Sequence, residues 1–140
     1  MDPNLGFAHW LLGLAYMYKG TYEPAIQELQ KSIPLSGDSP DEPASLGLAY
    51  ALAGKSGEAR KIMEELKQRS KRKYLSSIPI ATLHAALGEK DQALDWLEKD
   101  ARERTAFEIN FIKVDPFLDP LRGDPRFEAL VSRILSSSVN

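Results

Sequence analysis

Hydrophobic residues recur at intervals of three and four positions along most of the chain, which is the spacing of one face of an α-helix. Before residue 105 there is no alternation of apolar and polar residues of the kind that predicts a β-strand. The pattern instead predicts three pairs of helices. The first helix of each pair is expected over 5–18, over about 41–53, and from just after 76 to near 87. The second helices are expected to carry the apolar stripes Tyr22, Ala25, Ile26, Leu29 and Ile33, then Ala59, Ile62, Met63 and Leu66, then Ala93, Leu94, Leu97 and Ala101.

The ends of these helices carry recognisable capping residues. Gly20 is expected to form a left-handed C-cap, and Gly54 and Gly88 occupy the turns of the other two pairs. Side-chain oxygens can satisfy the free backbone N–H groups at a helix start. The residues expected to do so are Asn4, Thr21 and Asp91.

The three helix pairs repeat with a period of 34 residues. The segment Gly13-Leu14-Ala15-Tyr16 recurs as Gly47-Leu48-Ala49-Tyr50. The same offset relates Leu12 to Leu46, Gly20 to Gly54 and Ala25 to Ala59, and a further 34 residues reach Ile80, Ala81, His84, Gly88 and Ala93. Agreement at several positions in one register indicates repeated helix-turn-helix units.

The last 35 residues follow a different pattern. Three Asp-Pro steps begin at Asp115, Asp119 and Asp124, and each aspartate is expected to cap the turn that follows it. A calcium site is the alternative, but the glycine and the spacing of a calcium loop are missing. A short helix is predicted over 105–112, and a final amphipathic helix carries Phe127, Leu130, Val131, Ile134 and Leu135 on one side. Such a one-sided helix can close a repeat array, so a cap is predicted over about 108–138.

The repeated motif resembles the signature of the tetratricopeptide repeat, in which Leu-Gly-x-x-Tyr precedes a turn and then Ala-x-x-x-Phe. The Trp of that signature is absent from all three units. The matching residues are Leu12, Gly13, Tyr16, Ala25 and Leu29, then Leu46, Gly47, Tyr50, Ala59 and Met63, then Ile80, Ala81, His84, Ala93 and Leu97. The resemblance implies an all-α fold of three repeats, over about 6–39, 40–73 and 74–107, stacked as a right-handed superhelical array. The tail looks like the cap of bacterial multi-domain signalling and regulatory proteins.

Composition narrows the chemistry. The 140 residues include no cysteine and only two histidines, His9 and His84, and the formal net charge is −2. Disulfides, thiolate metal sites and cysteine nucleophiles are excluded, and no catalytic, cofactor-binding or metal-binding constellation accompanies either histidine. The acidic balance argues against direct nucleic-acid binding, and the apolar stretch over 5–18 is too short to span a membrane. We therefore expect a cytoplasmic protein that is not an enzyme and needs no cofactor.

The resemblance also implies where a partner would bind, because the first helices of tetratricopeptide repeats line a concave surface. Chaperone-binding members carry Lys, Arg and Asn there, and this chain has none at the equivalent positions. An apolar groove of this kind either binds a hydrophobic segment or is core shared between repeats. The predicted groove residues are Phe7, Trp10, Leu14, Met17, Tyr18, Leu48, Leu52 and Thr82.

A basic run follows the second repeat. It consists of Lys67, Arg69, Lys71, Arg72 and Lys73. These residues either complement the C-terminal end of a helix dipole and a solvated loop or form a patch for an anionic ligand.

Together these observations favour a non-catalytic protein-interaction module of a larger bacterial protein, binding an apolar peptide or a protomer segment. The alternative is a sensory or regulatory domain fused to a DNA-binding, kinase or cyclase domain. The helix over 5–18 carries no charged residue, and a helix that is apolar all round expects burial on every side. We therefore expect either a preceding repeat in a longer chain or self-association through the first repeat.

Overall fold

A computed structural model describes residues 3–73, 75–100 and 116–139. The predicted helix over 105–112 lies outside these residues, as do Ala101 and the side chains of Ile134 and Leu135. The part of the chain that is described is helical and has no strand, which confirms the all-α prediction. In chain order the α-helices are α1 (Pro3–Tyr18), α2 (Tyr22–Ser32), α3 (Asp41–Leu52), α4 (Ser56–Arg72), α5 (Ile78–Ala86), α6 (Lys90–Asp100) and α7 (Pro125–Val139), and 3-10 helices span Ile33–Leu35 and Pro116–Leu121.

The chain divides into two compact units, Met1–Leu75 and Ser76–Asn140. The first unit holds the helical hairpins α1–α2 and α3–α4. The second holds the hairpin α5–α6, the 3-10 helix Pro116–Leu121 and α7.

A left-handed glycine ends the first helix of each hairpin. Gly20 has φ +81°, its N–H donates to the carbonyl of Met17, and the next N–H donates to the carbonyl of Tyr16. These two hydrogen bonds form a Schellman cap, which satisfies carbonyls that the helix leaves without partners. The same conformation recurs at Gly54 (φ +82°) and Gly88 (φ +81°). The left-handed cap predicted at Gly20 is therefore present in all three hairpins.

The predicted N-caps differ from the observed helix starts. Asn4 lies inside α1, because that helix begins at Pro3. Asp91 lies in the first turn of α6, which begins at Lys90. Thr21 does occupy the N-cap position of α2, but its hydroxyl donates to the carbonyl of Tyr16 and makes no cap to α2. These three N-cap predictions are wrong: Asn4 and Asp91 lie one residue inside their helices, and the hydroxyl of Thr21 is bound to the Tyr16 carbonyl.

The Asp-Pro steps have different roles. Asp124 caps α7 as predicted, since its carboxylate accepts a hydrogen bond of 2.9 Å from the backbone N–H of Arg126. Asp119 lies within a 3-10 helix, and its carboxylate accepts from Nε of Arg122 at 2.6 Å. Asp115 lies outside the described residues.

In the core of the first unit, the absence of a side chain at Gly13 allows α1 and α2 to approach closely. A Cβ atom placed on Gly13 would lie 2.7 Å from Cγ of Leu29, so α1 and α2 touch at this point. The second hairpin packs on the first: Nε2 of Gln30 on α2 donates to the Tyr50 hydroxyl on α3 at 2.9 Å. The buried apolar residues of this unit are Met17, Ala25, Ile26, Leu29, Ala44, Leu46, Leu48, Ala49, Ala51, Ala59, Met63 and Leu66.

The core of the second unit joins the hairpin α5–α6 to the end of the chain. Leu118 and Leu121 are fully buried, and their spacing of three places both on one face of the 3-10 helix. Trp96 and Val131 pack at the edge of this cluster, which supports the prediction that Trp96 packs near the tail. The buried members are Ala81, Ala85, Ala93, Leu94, Leu97, Leu118, Leu121, Phe127 and Leu130.

One arginine fastens α7 to α6. Arg126 donates to Asp95 at 2.8 Å and to Glu98 at 3.3 Å, and it lies 3.7 Å from Asp91. The three carboxylates are spaced by four and three residues, so they share one face of α6. Their hydrogen bonds, that of Asp95 first, raise the pKa of Arg126. This cluster offsets the unfavourable position of a cation in the first turn of a helix.

Candidate functional site

The most unusual surface in the described structure lies on α1. Five large apolar side chains there are exposed to solvent: Leu5 by 46%, Phe7 by 53%, Leu11 by 47%, Leu12 by 43% and Tyr18 by 60%. Ala8 and Ala15, which lie on the same side of the helix, are also exposed. We call Leu5, Phe7, Ala8, Leu11, Leu12, Ala15 and Tyr18 together the outer face of α1. An apolar patch of this size on a protein surface is commonly a site of interaction.

The outer face carries no charge. The sixteen residues of α1 include no Asp, Glu, Lys or Arg, and their polar groups are the side chains of Asn4 and His9, the indole N–H of Trp10 and the hydroxyls of two tyrosines. His9 lies on the side that packs on α2, where its Nδ1 is 2.6 Å from Oε2 of Glu28. That hydrogen bond holds the pKa of Glu28 below its usual value. The charged chemistry of this hairpin is therefore on the side away from the outer face.

The equivalent residues of the second hairpin are buried. Leu12 and Ala15 are exposed, whereas their counterparts 34 residues later, Leu46 and Ala49, are only 7% and 0% exposed. Each first helix packs on the second helix of its own hairpin, so that contact does not account for the difference. Within the first unit, α3 packs closely on the second helices of both hairpins, α2 and α4, whereas α1 packs closely on one of them, α2. Leu46 and Ala49 are therefore buried on a helix that packs on two second helices, and Leu12 and Ala15 are exposed on a helix that packs on one.

The predicted groove residues fall into three groups. Phe7 and Tyr18 are exposed on the outer face, and Trp10, Leu14 and Leu52 are half-buried. Met17, Leu48 and Thr82 are buried, so in this structure they are packing residues and are not available to a partner. Helical spacing could not separate these groups, because every side of α1 is apolar and the period alone does not tell which side faces the core. Of the predicted groove residues, Phe7, Trp10, Leu14, Tyr18 and Leu52 therefore remain accessible to a partner.

Trp10 links the outer face to α3. Its ring centroid lies 5.7 Å from that of Phe7 with an interplanar angle of 44°, a tilted aromatic pair. Its Nε1 donates to Oγ of Ser45 at 3.0 Å, and that hydroxyl donates to the carbonyl of Asp41. The indole is therefore fixed in orientation, with Phe7 extending the apolar surface beyond it.

The basic run ends α4 and is partly engaged by acids of the same unit. Arg69 donates to the backbone carbonyl of Asp38 and lies 3.2 Å from its carboxylate, which also lies 4.0 Å from Lys73. Lys67 lies 3.6 Å from Glu64. Lys71 and Arg72 are exposed in the last turn, where positive charge complements the helix dipole. The anion patch remains a prediction, while these contacts supply a structural role for its members.

The two histidines occupy separate environments. His84 is buried on α5, with Nδ1 3.4 Å from Oε1 of Glu89, and His9 is paired with Glu28 on α2. Among the residues that the structure describes, no three His, Cys, Asp or Glu side chains come together as a metal site would require. In the same residues, no helix combines the length and the apolar character needed to cross a membrane.

Sequence reasoning missed five members of the outer face as candidate binding residues: Leu5, Ala8, Leu11, Leu12 and Ala15. The signal that would have found them is the lack of any charge over 5–18, which predicts burial on all sides but was not assigned to particular residues. It also missed Leu118 and Leu121, because a 3-10 helix of six residues leaves too short a pattern to detect.

The comparisons with known proteins bear on the first hairpin. A family model described as Tetratricopeptide repeat matches residues 8–38, which cover most of α1 and all of α2. No similarity to a curated protein or to a solved structure was found. The match coincides with the hairpin in which Gly13 contacts Leu29 and Gly20 forms the left-handed cap. The family match over the first hairpin and the all-helical structure of the described residues support a repeat protein of the tetratricopeptide type.

Proposed function

We propose that this chain is a non-catalytic protein-interaction module that binds an apolar helical segment on the outer face of α1. The observation that carries the proposal is the exposure of five large apolar side chains on one uncharged helix. Tetratricopeptide repeats commonly mediate protein–protein binding, which supports this class of function. The cytoplasmic and bacterial setting suggested by the sequence remains a prediction.

The chemistry of the partner follows from the repeat itself. α3 packs on α2, and its residues Leu46 and Ala49, the counterparts of the exposed Leu12 and Ala15, are buried. A segment that resembles α2, helical and with an apolar stripe of Ala25, Ile26 and Leu29, therefore matches the surface that α1 presents. Because α1 has no charge, selectivity would come from shape and apolar area, with Tyr18 supplying a hydroxyl at the edge.

A synthetic peptide tests this directly. A peptide with the sequence of residues 20–36, carrying a fluorescent label, is titrated with the full chain at concentrations where the chain is monomeric, and its anisotropy is recorded. We expect saturable binding that Leu12→Glu weakens at least about tenfold, equivalent to about 1.4 kcal/mol. Leu12 is 43% exposed, so we expect this substitution to leave the fold intact, which circular dichroism checks.

Two controls test whether binding depends on the apolar stripe of the peptide and on the position of the charge in the chain. A peptide in which the residues corresponding to Ile26 and Leu29 are both glutamate should not bind, because its apolar stripe is interrupted. The chain variant Ala129→Glu places the same charge on an exposed site of α7 and should bind as the wild type does. Equal affinity of the wild type and Leu12→Glu would contradict the proposal, as would binding of the glutamate peptide.

A further inference from the structure

We infer that a second copy of this chain covers the outer face of α1, with the two α1 helices antiparallel about a twofold axis. The inference rests on the proposed function and names the partner of the same surface. Three observations carry it: the spacing of large and small residues on α1, the apolar area that is exposed, and the absence of charge.

Large and small residues alternate along the centre of the outer face. Leu5, Ala8, Leu12 and Ala15 are spaced by three, four and three residues, which is the spacing of a seam between two packed helices. Each of the four is exposed. This seam is therefore available to a second helix over about three turns of α1.

An antiparallel copy fits this seam with leucine against alanine throughout. If the twofold axis passes beside residue 10, Leu5 of one copy faces Ala15 of the other, and Ala8 faces Leu12. Facing positions that alternate large and small side chains let two helices interdigitate closely, at about 8–10 Å between axes. A twofold interface requires this kind of self-complementary pattern, in which residue i meets j and j meets i.

The apolar area exposed on α1 is close to the apolar area that each partner buries in a stable dimer. The exposed parts of the five large side chains amount to roughly 500 Å² per chain, by the size of such side chains. A standard interface buries about 800 Å² per partner, and homodimer interfaces are about 65% apolar. The apolar area on α1 therefore equals the expected apolar share of one side of such an interface.

The absence of charge on α1 favours a second copy as the occupant. A twofold axis brings the residues beside it close to their own equivalents, so a charge beside the axis would be repelled by its copy. α1 carries none along its sixteen residues. Antiparallel packing also sets the two helix dipoles in opposite directions, which is the favourable orientation.

Sedimentation equilibrium tests the inference on the full chain. We expect the wild-type mass to rise with concentration from 15.6 kDa toward twice that value. Ala8→Glu should remain at the mass of one chain, because it places two like charges in the seam. Ala129→Glu, the same substitution at an exposed alanine of α7, should dimerise as the wild type does. A wild-type mass that stays at one chain over the whole series overturns the inference, as does equal dimerisation of Ala8→Glu.

Introduced thiols test the orientation, because the chain has no cysteine of its own. Leu5→Cys and Ala15→Cys proteins are oxidised separately and as a mixture. The antiparallel register predicts that the mixture forms disulfide dimers at least about tenfold faster than either protein alone. In that register two residues at position 5 are ten positions apart, about 15 Å along the axis, beyond the roughly 4–7 Å between Cα atoms of a disulfide. Faster linkage of either protein alone would mean parallel pairing and would overturn the arrangement.

The outcomes separate this inference from the proposed function. A chain that stays monomeric and binds the peptide of residues 20–36 overturns the second copy as occupant and leaves the interaction surface standing. A chain that stays monomeric and binds no peptide overturns both.

Discussion

Gly13 and Leu29 touch so closely that a methyl group at position 13 would overlap the leucine side chain. A Cβ atom on Gly13 would lie 2.7 Å from Cγ and 2.9 Å from Cδ2 of Leu29. Both residues belong to the repeated motif, so the glycine of Leu-Gly-x-x-Tyr and the apolar residue that ends Ala-x-x-x-Leu meet across the hairpin. The motif is therefore a packing contact between α1 and α2.

This contact predicts different effects for two glycine substitutions. Gly13→Ala should lower the free energy of unfolding by about 1–3 kcal/mol, because the added methyl overpacks the hairpin. Gly57 is the second residue of α4 and has open space around it, so Gly57→Ala should leave stability unchanged or raise it by up to about 1 kcal/mol through helix propensity. Urea unfolding of both variants checks this, and a Gly13→Ala protein as stable as the Gly57→Ala protein would contradict the close contact between Gly13 and Leu29.

The pair His9 and Glu28 predicts an acid-dependent loss of stability. The hydrogen bond from His9 lowers the pKa of Glu28 below 4.5, so the ionised carboxylate is favoured in the folded state. Its stabilising contribution is present above the unfolded-state pKa and is lost as the pH falls through the lower folded-state value. Glu28→Gln should remove about 0.5–1 kcal/mol at pH 6 and flatten stability below pH 4.5.

The control for this pair is His9→Gln, which removes the chief cause of the lowered pKa. His9→Gln should also reduce the loss of unfolding free energy at acid pH. In that pH range the double variant should show the same unfolding free energy as either single variant. Additive losses of the two single variants would show that the residues act independently.

The burial of Leu118 predicts how much the 3-10 helix Pro116–Leu121 contributes to the stability of the second unit. Its side chain is fully buried, so Leu118→Ala should lower the stability of the second unit by about 2–5 kcal/mol. Val131→Ala, at a half-buried position, should cost less than about 1.5 kcal/mol. Fluorescence of Trp96 in a Trp10→Phe background reports the unfolding of this unit alone. If Leu118→Ala and Val131→Ala lowered the free energy of unfolding equally, Leu118 would not be the more tightly packed residue.

Arg126 predicts coupling between α7 and α6. Double-mutant cycles of Arg126→Gln with Asp95→Asn should give a coupling free energy of about 0.5–1 kcal/mol that decreases with added salt, as for partly exposed ion pairs. Arg126→Lys should retain less than half of this coupling, because an ammonium group cannot bridge Asp95 and Glu98 in the way a guanidinium does. A coupling energy of zero at low salt would exclude the pair as a fastening contact.

The sequence was sufficient for the α-helices of the three hairpins and for the glycine turns within them. Glycines at 20, 54 and 88 recur at a fixed interval, and a left-handed residue is a strictly local requirement that sequence pattern can identify. The prediction of helix 41–53 agrees with α3 to one residue. The N-cap at Thr21 failed because its hydroxyl has a second acceptor, the Tyr16 carbonyl, which only the folded turn brings within reach.

The binding surface could be predicted in part only. The sequence of an amphipathic helix indicates its buried side, but α1 is apolar all round, so Met17 and Leu12 look equivalent in the sequence. The difference arises from packing: Met17 faces α2 and is 2% exposed, whereas Leu12 faces away. Periodicity gives the angle between residues on a helix and cannot give the direction in which the neighbouring helix lies.

The central claim is that the outer face of α1 receives a helical partner, and methyl NMR of the leucines tests it most directly. Spectra of the full chain are recorded while its concentration is raised and while the peptide of residues 20–36 is added. The account predicts that methyl signals of Leu5, Leu11 and Leu12 shift in at least one of these titrations, while those of the buried Leu94 and Leu97 do not. Methyl signals of the outer face that stay unchanged in both titrations would contradict the claim.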